Sequence, residues 1–211
     1  MSGLGKRTQS GFTLVEVMIA IGIMTVGSLG ILAMHQGVTY ANRSAYEMNT
    51  ALAIAETWVQ RIERDSLYWT ERGPAAITLT NTVYLTGITT PSAGWFRPSP
   101  ADPTVESYGF NHFGDDIQAG EDPKYCTNLR VSWLRKENSA RVDIRVFWYR
   151  EGQMAGAAAH PDWVDGVDFR NANCDAGDAD GWGLDAVSPL APNIDVVFAS
   201  TVVTFVRREG T

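Results

Sequence analysis

The hydrophobic positions of this chain begin with one long apolar run. It extends from Phe12 to Met34, and Glu16 is the only charged residue within these 23 positions. A helix rises about 1.5 Å per residue, so a run of this length spans the roughly 30 Å of a bilayer's hydrocarbon core with some tilt. The pattern therefore predicts a single transmembrane helix over residues 12–34.

The helical pattern continues beyond this run, although the composition becomes polar. No proline occurs between Phe12 and Gly73, and apolar residues recur at alternating steps of four and three, which places them on one helix face. We predict one continuous helix from about Phe12 to about Arg64, whose second half, residues 35–66, packs an apolar stripe against a globular head at 67–211. A coiled coil is the alternative for this stripe. The residues of the stripe are Ala41, Ala45, Met48, Leu52, Ala55, Val59 and Ile62.

Downstream of the predicted helix, the hydrophobic positions change to the period of β-strands. In Arg141–Tyr149, apolar residues occupy every second position, which is typical of a half-buried strand. Asn128–Leu134 precedes it across the short polar link RKENSA, so the two runs predict an antiparallel hairpin. Ile194–Val206 supplies a terminal strand, Ala76–Thr86 is rich in strand-forming residues, and Pro91–Gly120 is mainly loop in composition. This order predicts an α+β fold, with the long helix packed on an antiparallel sheet of about four strands.

The overall charge narrows the range of partners. Lys and Arg number 17 against 24 Asp and Glu, which gives a formal net charge of −7 and an isoelectric point near 4.9. Affinity for nucleic acid depends on clustered Lys and Arg that displace counterions. The acidic balance therefore argues against nucleic acid as a partner.

Residues with catalytic potential form no known motif in this sequence. His35, His112 and His160 occur in unrelated contexts, so neither a metal cluster nor a nucleophile with its base emerges. The sequence also lacks G-x-S-x-G, H-E-x-x-H and a glycine-rich phosphate loop. We therefore expect that the protein is not an enzyme and has no organic cofactor.

The segment NANCDAGDADGWGLD, residues 171–185, concentrates side-chain oxygens. Asp175, Asp178 and Asp180 are candidate calcium ligands, because calcium takes about six to eight oxygens and the glycines permit tight turns. The segment is not an EF-hand, since the glutamate at the last loop position and the glycine register are missing. A solvated acidic loop is the alternative to a calcium site.

The residues before the apolar run are short, polar and basic. The segment MSGLGKRTQSG contains Lys6 and Arg7, which would remain in the cytoplasm and leave the C-terminal bulk of the chain outside. A secretory signal instead places its cleavage site after an apolar core of about 7 to 15 residues. By themselves these features fit a signal anchor for a periplasmic ligand-binding or adhesive domain.

The junction between the basic and apolar segments has a more specific pattern. It reads G-F-T-L-V-E, with Gly11 before Phe12 and Glu16 four residues beyond Phe12, and it resembles the class III signal of type IV prepilins and pseudopilins. The resemblance implies that a prepilin peptidase removes residues 1–11 by cutting between Gly11 and Phe12, and then methylates the new amine of Phe12. It also implies the α+β pilin fold and an anchor that stays in the inner membrane.

The same resemblance gives Glu16 a role. In an assembling filament its carboxylate can meet the N-terminal amine of Phe12, from a neighbouring subunit or from its own chain. Because a charge left unpaired in an apolar bundle is costly, this pair would favour one axial register. The alternative is a carboxylate placed in a first helical turn, which the helix macrodipole favours.

The two cysteines, Cys126 and Cys174, lie far downstream of the apolar run. In an exported domain a disulfide is the default for such a pair. Pilin heads often tie their C-terminal region with one disulfide, so the resemblance also favours a Cys126–Cys174 bridge. Two free buried thiols are the alternative.

The helix contains a second pattern, a G-x-x-G-x-L-A-x-x-Q-like stretch followed by an arginine, alanines and an A-E-x-x-x-x-R-like segment. With it, residues 6 to about 64 are similar to minor pilins of the PilV kind. The residues that form it are Gly27, Gly30, Leu32, Ala33, Gln36, Arg43, Ala53, Ala55, Glu56 and Arg61.

This second resemblance implies a low-abundance component of a type IV pilus, with roles in motility and cell adhesion. Such a subunit acts in priming pilus assembly and in the tip complex. Its partners would be other minor pilins, the major pilin, prepilin peptidase and the inner-membrane assembly platform. A minor pseudopilin of a type II secretion system shares the N-terminus and the fold, and is the alternative within the class.

Overall fold

The structure is a computed structural model, and the chain in it divides into two compact units, residues 1–45 and 46–211. Within the described residues, one helix is followed by eight strands. The long N-terminal helix and the four-stranded antiparallel sheet confirm the predicted α+β pilin fold. The described residues are 11–71, 77–79, 82–85, 94–99, 106–117, 121, 123–135, 138–149, 163–164, 167–168, 174 and 194–205.

The helix, α1, spans Leu14–Ser66 and is continuous, as predicted. It contains no proline, so no backbone hydrogen bond is lost and no ring clashes with the preceding turn. Residues 14–45 have exposed side chains, apart from the half-buried Ser44. Burial in α1 begins at Glu47.

Four of the eight strands form the main sheet, in the order β3-β4-β5-β8. Strands β4 and β5 form the predicted hairpin, with Leu129 opposite Ile144 and an irregularity between Trp133 and Arg135. Strands β5 and β8 pair over eleven residues without a register shift. The other four strands form two-residue ribbons, β1 with β2 and β6 with β7. The strands are β1 Thr70–Glu71, β2 Ile77–Thr78, β3 Gly109–Phe110, β4 Tyr125–Arg135, β5 Ser139–Tyr149, β6 Trp163–Val164, β7 Val167–Asp168 and β8 Ile194–Thr204.

The core of the second unit lies between one face of this sheet and the last five turns of α1. Trp58 is fully buried at its centre, and its ring meets Tyr84 edge-on with 5.2 Å between ring centroids. Alternate residues of the sheet complete the core, but Asp143, Arg145 and Phe147 on the other face of β5 are buried too, so the prediction of a half-buried strand was wrong for β5. The buried members of the core include Ala51, Ile54, Ala55, Ile62, Leu129, Val131, Val142, Ile144, Val146 and Val197.

The face of α1 that packs on the sheet differs from the predicted stripe. Ala55 and Ile62 are buried as predicted, but Met48 is 51% exposed and Leu52 is 47% exposed. The prediction was therefore wrong for the N-terminal part of the stripe. The buried positions of the helix are Glu47, Thr50, Ala51, Ile54, Ala55, Trp58, Arg61, Ile62, Asp65 and Ser66.

Polar side chains on this inward face have partners that lie far away in the sequence. Arg61 donates to the Asp116 carboxylate at 2.6 Å, and its guanidinium lies over the Trp58 ring at 4.9 Å. Glu47 and Lys124 form an ion pair of 3.4 Å. Because buried charges are tolerated when they are paired and hydrogen-bonded, these partners allow polar residues on the buried face of α1, at positions outside the predicted apolar stripe.

Asp65 explains a second difference, in the segment Ala76–Thr86. Its carboxylate accepts hydrogen bonds from the backbone N–H groups of Val83, Tyr84 and Leu85, at 2.8, 2.9 and 3.3 Å. These groups cannot then join a sheet ladder, so the strand-like composition yields only β2 among the described residues of this segment. The predicted loop at 91–120 also contains the short strand β3.

Candidate processing and assembly site

The start of α1 is fixed by two residues that bond each other. The backbone N–H of Glu16 donates to Thr13 Oγ1 at 3.3 Å. Glu16 Oε2 in return accepts from the Thr13 N–H at 2.9 Å and from the Thr13 hydroxyl at 3.1 Å. This reciprocal arrangement is a capping box, in which two backbone donors that have no partner within the helix are satisfied. It places Thr13 at the N-cap and begins the helix at Leu14.

The peptide bond before the capping box is open to solvent. Gly11 and Phe12 precede the helix, and Phe12 is 88% exposed. Among the described residues, and apart from its neighbours in the chain, no atom lies within 4 Å of the position that a Cβ on Gly11 would occupy. Exposed non-helical backbone at a chain terminus is the usual target of a protease. The Gly11–Phe12 bond is therefore sterically accessible for cleavage.

The apolar part of α1 that follows Thr13 is exposed within the unit of residues 1–45. α1 contains an 18-residue window that is apolar and long enough to cross a membrane, and none of this window is buried. Glu16 is the one carboxylate within residues 12–34. A charge in hydrocarbon costs about 2.5 to 3.5 kcal/mol on insertion scales, so its retention in such a segment indicates a function.

The geometry leaves part of the Glu16 carboxylate available for a further partner. Its three hydrogen bonds to Thr13 use Oε2 and the backbone N–H. Among the residues that the structure describes, Oε1 accepts no hydrogen bond, and an ionised carboxylate can accept about four in total. A cation near the helix start can therefore bind Glu16 without breaking the capping box.

Thr13 is the residue of this site that sequence reasoning missed. The T-x-x-E spacing of Thr13 and Glu16 is the sequence signature of a capping box ahead of an apolar run, and it was available in the sequence. The prediction instead considered only the macrodipole as the alternative role of Glu16. In the structure the side-chain and backbone contacts of Thr13 hold the carboxylate in place.

The predicted disulfide lies in the second unit, away from this site in sequence. Cys126 and Cys174 are bonded in the structure, and both are 1% exposed. A polar relay accompanies the bond, since Asn128 Nδ2 donates to the Cys174 carbonyl at 2.9 Å and Arg145 Nε donates to Asn128 Oδ1 at 3.0 Å. The bond and the relay together attach residue 174 to strands β4 and β5.

Other predicted residues lie outside the described part of the chain. Asp175, Asp178 and Asp180, His160, and the leader residues 1–10 belong to this group, so the calcium site stays a prediction. His35 is exposed on α1, and His112 is exposed in the turn after β3. Within the described residues, no group of three or more His, Cys, Asp or Glu side chains could hold a metal ion.

Comparison with known protein families supports the interpretation of the N-terminal site. A family model described as the prokaryotic N-terminal methylation motif matches residues 6–32. This match indicates the type IV pilin or pseudopilin class. Searches of curated proteins and of solved structures find no match to this chain.

The matched residues include every part of the candidate site. Gly11, Phe12, Thr13 and Glu16 all fall within residues 6–32, as do the basic leader residues Lys6 and Arg7 and most of the apolar run. The sheet and the disulfide fall outside the match. The class therefore rests on the N-terminal signal and on the order of helix and sheet, and the match does not assign a role to the head.

Proposed function

We propose that this protein is a minor pilin of a type IV pilus, most similar to the PilV kind, that is cleaved between Gly11 and Phe12 and methylated at Phe12. The observation that carries the proposal is the match to the methylation motif at residues 6–32. The exposed Gly11–Phe12 bond next to a capped helix start supports it. No catalytic role is proposed for the protein itself.

Before assembly, residues 12–34 anchor the chain in the inner membrane, with residues 67–211 as a head in the periplasm. The length and apolar composition of the helix support this topology, and Lys6 and Arg7 orient it. After assembly the subunit is part of the pilus, at the tip, with other minor pilins and the major pilin. Between membrane insertion and incorporation into the pilus, prepilin peptidase and the inner-membrane assembly platform act on the subunit.

In the proposed assembly step, Glu16 pairs with the N-terminal amine of a methylated Phe12. The exposed position of Glu16 and the hydrogen bonds that Thr13 donates to its Oε2 atom support this role. Two charges that meet in an apolar helix bundle attract strongly, whereas either charge left alone is costly. The pair therefore selects the axial register at which a new subunit joins.

Gly11→Leu is expected to block processing, because a prepilin peptidase must accommodate the residue on the leader side of the cut. In cells with active peptidase, more than about 90% of the variant should accumulate as the uncut chain that begins at Met1. On a denaturing gel it should migrate as a chain eleven residues longer than the processed parent. Gly5→Leu, in the same leader, is the matched control and should be processed like the parent. Normal processing of Gly11→Leu at Phe12 would contradict the proposed cleavage site.

The pilus and the type II secretion pseudopilus differ in the phenotype of a deletion strain. Loss of piliation, with secretion of exoproteins intact, is expected for the proposed minor pilin. Loss of secretion with intact pili would assign the protein to a pseudopilus. The genes adjacent to this one provide the same distinction.

A further inference from the structure

Strand β8 forms one end of the main sheet. It pairs with β5 from Ser139↔Thr204 to Tyr149↔Ile194, and no other described strand pairs with its opposite side. With eleven residues it is long for an edge strand, since native edge strands are commonly kept short. The pairing with β5 has no bulge that would twist the edge away.

The outward-facing backbone groups of β8 follow from its register with β5. The Phe205 N–H donates to the Asn138 carbonyl at 3.0 Å, at the position next after the Ser139↔Thr204 pair. Hydrogen-bonded and non-bonded pairs alternate in an antiparallel ladder, so odd-numbered residues of β8 bond β5. The N–H and C=O groups that point away from β5 therefore belong to the even-numbered residues, Ile194, Val196, Phe198, Ser200, Val202 and Thr204.

Most of this edge lacks the usual protection against strand pairing. The one charged residue of β8 is Asp195, near its N-terminal end, and residues 196–206 contain no charged residue and no proline. Native sheets generally place lysine, proline or a bulge on an exposed edge to prevent pairing with another chain. In addition, Phe198 is 51% exposed and Val202 is 54% exposed on the sheet face opposite α1. Among the residues that the structure describes, this edge combines backbone groups that have no strand partner with exposed apolar side chains.

We propose that the outer edge of β8 binds one extended strand of a different exported polypeptide. Only an extended backbone satisfies a row of N–H and C=O groups spaced at every second residue. Because residues 196–206 are uncharged, the part of the added strand beside them would be uncharged too, with apolar side chains at alternate positions next to Phe198 and Val202. Through the outer edge of β8, the head would bind this partner without a contribution from α1.

A second copy of this chain fits the edge less well. Antiparallel pairing of two β8 edges about Ser200 needs a two-fold axis normal to the sheet. Such an axis reverses, in the second copy, the direction of every element that lies along the sheet. The C-terminal part of α1 is such an element, because its side packs on the sheet face. The two helices would run in opposite directions, although both begin in one membrane. The argument against a second copy rests on the proposed membrane anchoring, whereas the description of the β8 edge does not.

The test uses the full-length protein in detergent micelles and a fluorescent synthetic peptide, VVFASTVVT with flanking lysines, as a model strand. Binding is followed by anisotropy, and hydrogen exchange reports each backbone amide. We expect the peptide to slow exchange of the outward amides of Phe198, Ser200 and Val202. Ser200→Pro removes one outward N–H without breaking a bond to β5, and should weaken peptide binding by about tenfold or more.

Ser200→Ala is the matched control, since it removes the hydroxyl and keeps the N–H, and its affinity should stay within about twofold of the parent. Val202→Pro, at a second outward N–H, replaces Ser200→Pro if that variant does not fold. Three results would overturn the proposal: outward amides that are protected without peptide, equal peptide affinity of the Pro and Ala variants, or a dimer that Ser200→Pro dissociates. None of these involves cleavage at Gly11, so the proposed function is tested separately.

Discussion

Glu16→Gln is expected to insert into the membrane normally and to fail in assembly. Glutamine keeps the capping box, because the N3 position of this motif accepts either Glu or Gln, but it removes the charge that pairs with the Phe12 amine. Breaking one partner of a buried ion pair costs about 3 to 5 kcal/mol. Incorporation into pili, measured by immunoblotting of sheared filaments at equal expression, should fall by more than about a hundredfold.

Two companion variants separate the two roles of this carboxylate. Glu16→Ala loses both the cap and the charge, and should assemble no better than Glu16→Gln. Glu16→Asp keeps the charge with a shorter reach, and should be intermediate. Glu56→Gln, at an exposed position in the second half of α1, is the control and should assemble normally. If Glu16→Gln formed pili as well as the parent, the carboxylate would serve only the capping box.

Removal of the Cys126–Cys174 bond is expected to destabilise the head strongly. The bond joins residues 48 positions apart, and closing a loop of this length stabilises by about 4 kcal/mol when the entropy of the unfolded chain is considered alone. The double variant Cys126→Ala with Cys174→Ala should therefore melt about 8 to 16 °C lower than the parent. Alanine is a fair replacement at residue 174, where φ is 57°, because it is no more strained there than cysteine.

Thermal unfolding of the full-length protein in detergent checks this expectation. The parent in reducing agent should melt at the temperature of the double variant, and reducing agent should leave the double variant unchanged. The hydrogen bond from Asn128 to the Cys174 carbonyl involves the backbone, so it remains possible in both cases. Equal melting temperatures for the oxidised parent and the double variant would show that the bond contributes no stability.

The architecture was predictable because its main elements depend on local patterns. The helix follows from an apolar run without proline, and the hairpin from the alternation in Arg141–Tyr149. The two-residue strands could not be found, since a pair such as Gly109–Phe110 has no period of its own. It becomes a strand only because it lies beside Tyr125 and Cys126 in the folded chain.

The orientation of α1 was less predictable, because distant partners decide it. Arg61 and Asp65 look like solvent positions in the sequence, and each is buried against a partner that no local rule identifies, Asp116 in one case and residues 83–85 in the other. The candidate site was easier, because its parts lie within six residues, from Gly11 to Glu16. Even there, the role of Thr13 required attention to capping as well as to charge.

The N-terminal peptide of the exported protein tests the central claim most directly. Mass spectrometry of the membrane fraction or of sheared pili should find a peptide that begins at Phe12 and has one methyl group on its amine. Recovery of only the uncut chain beginning at Met1, from cells with active prepilin peptidase, would contradict the account.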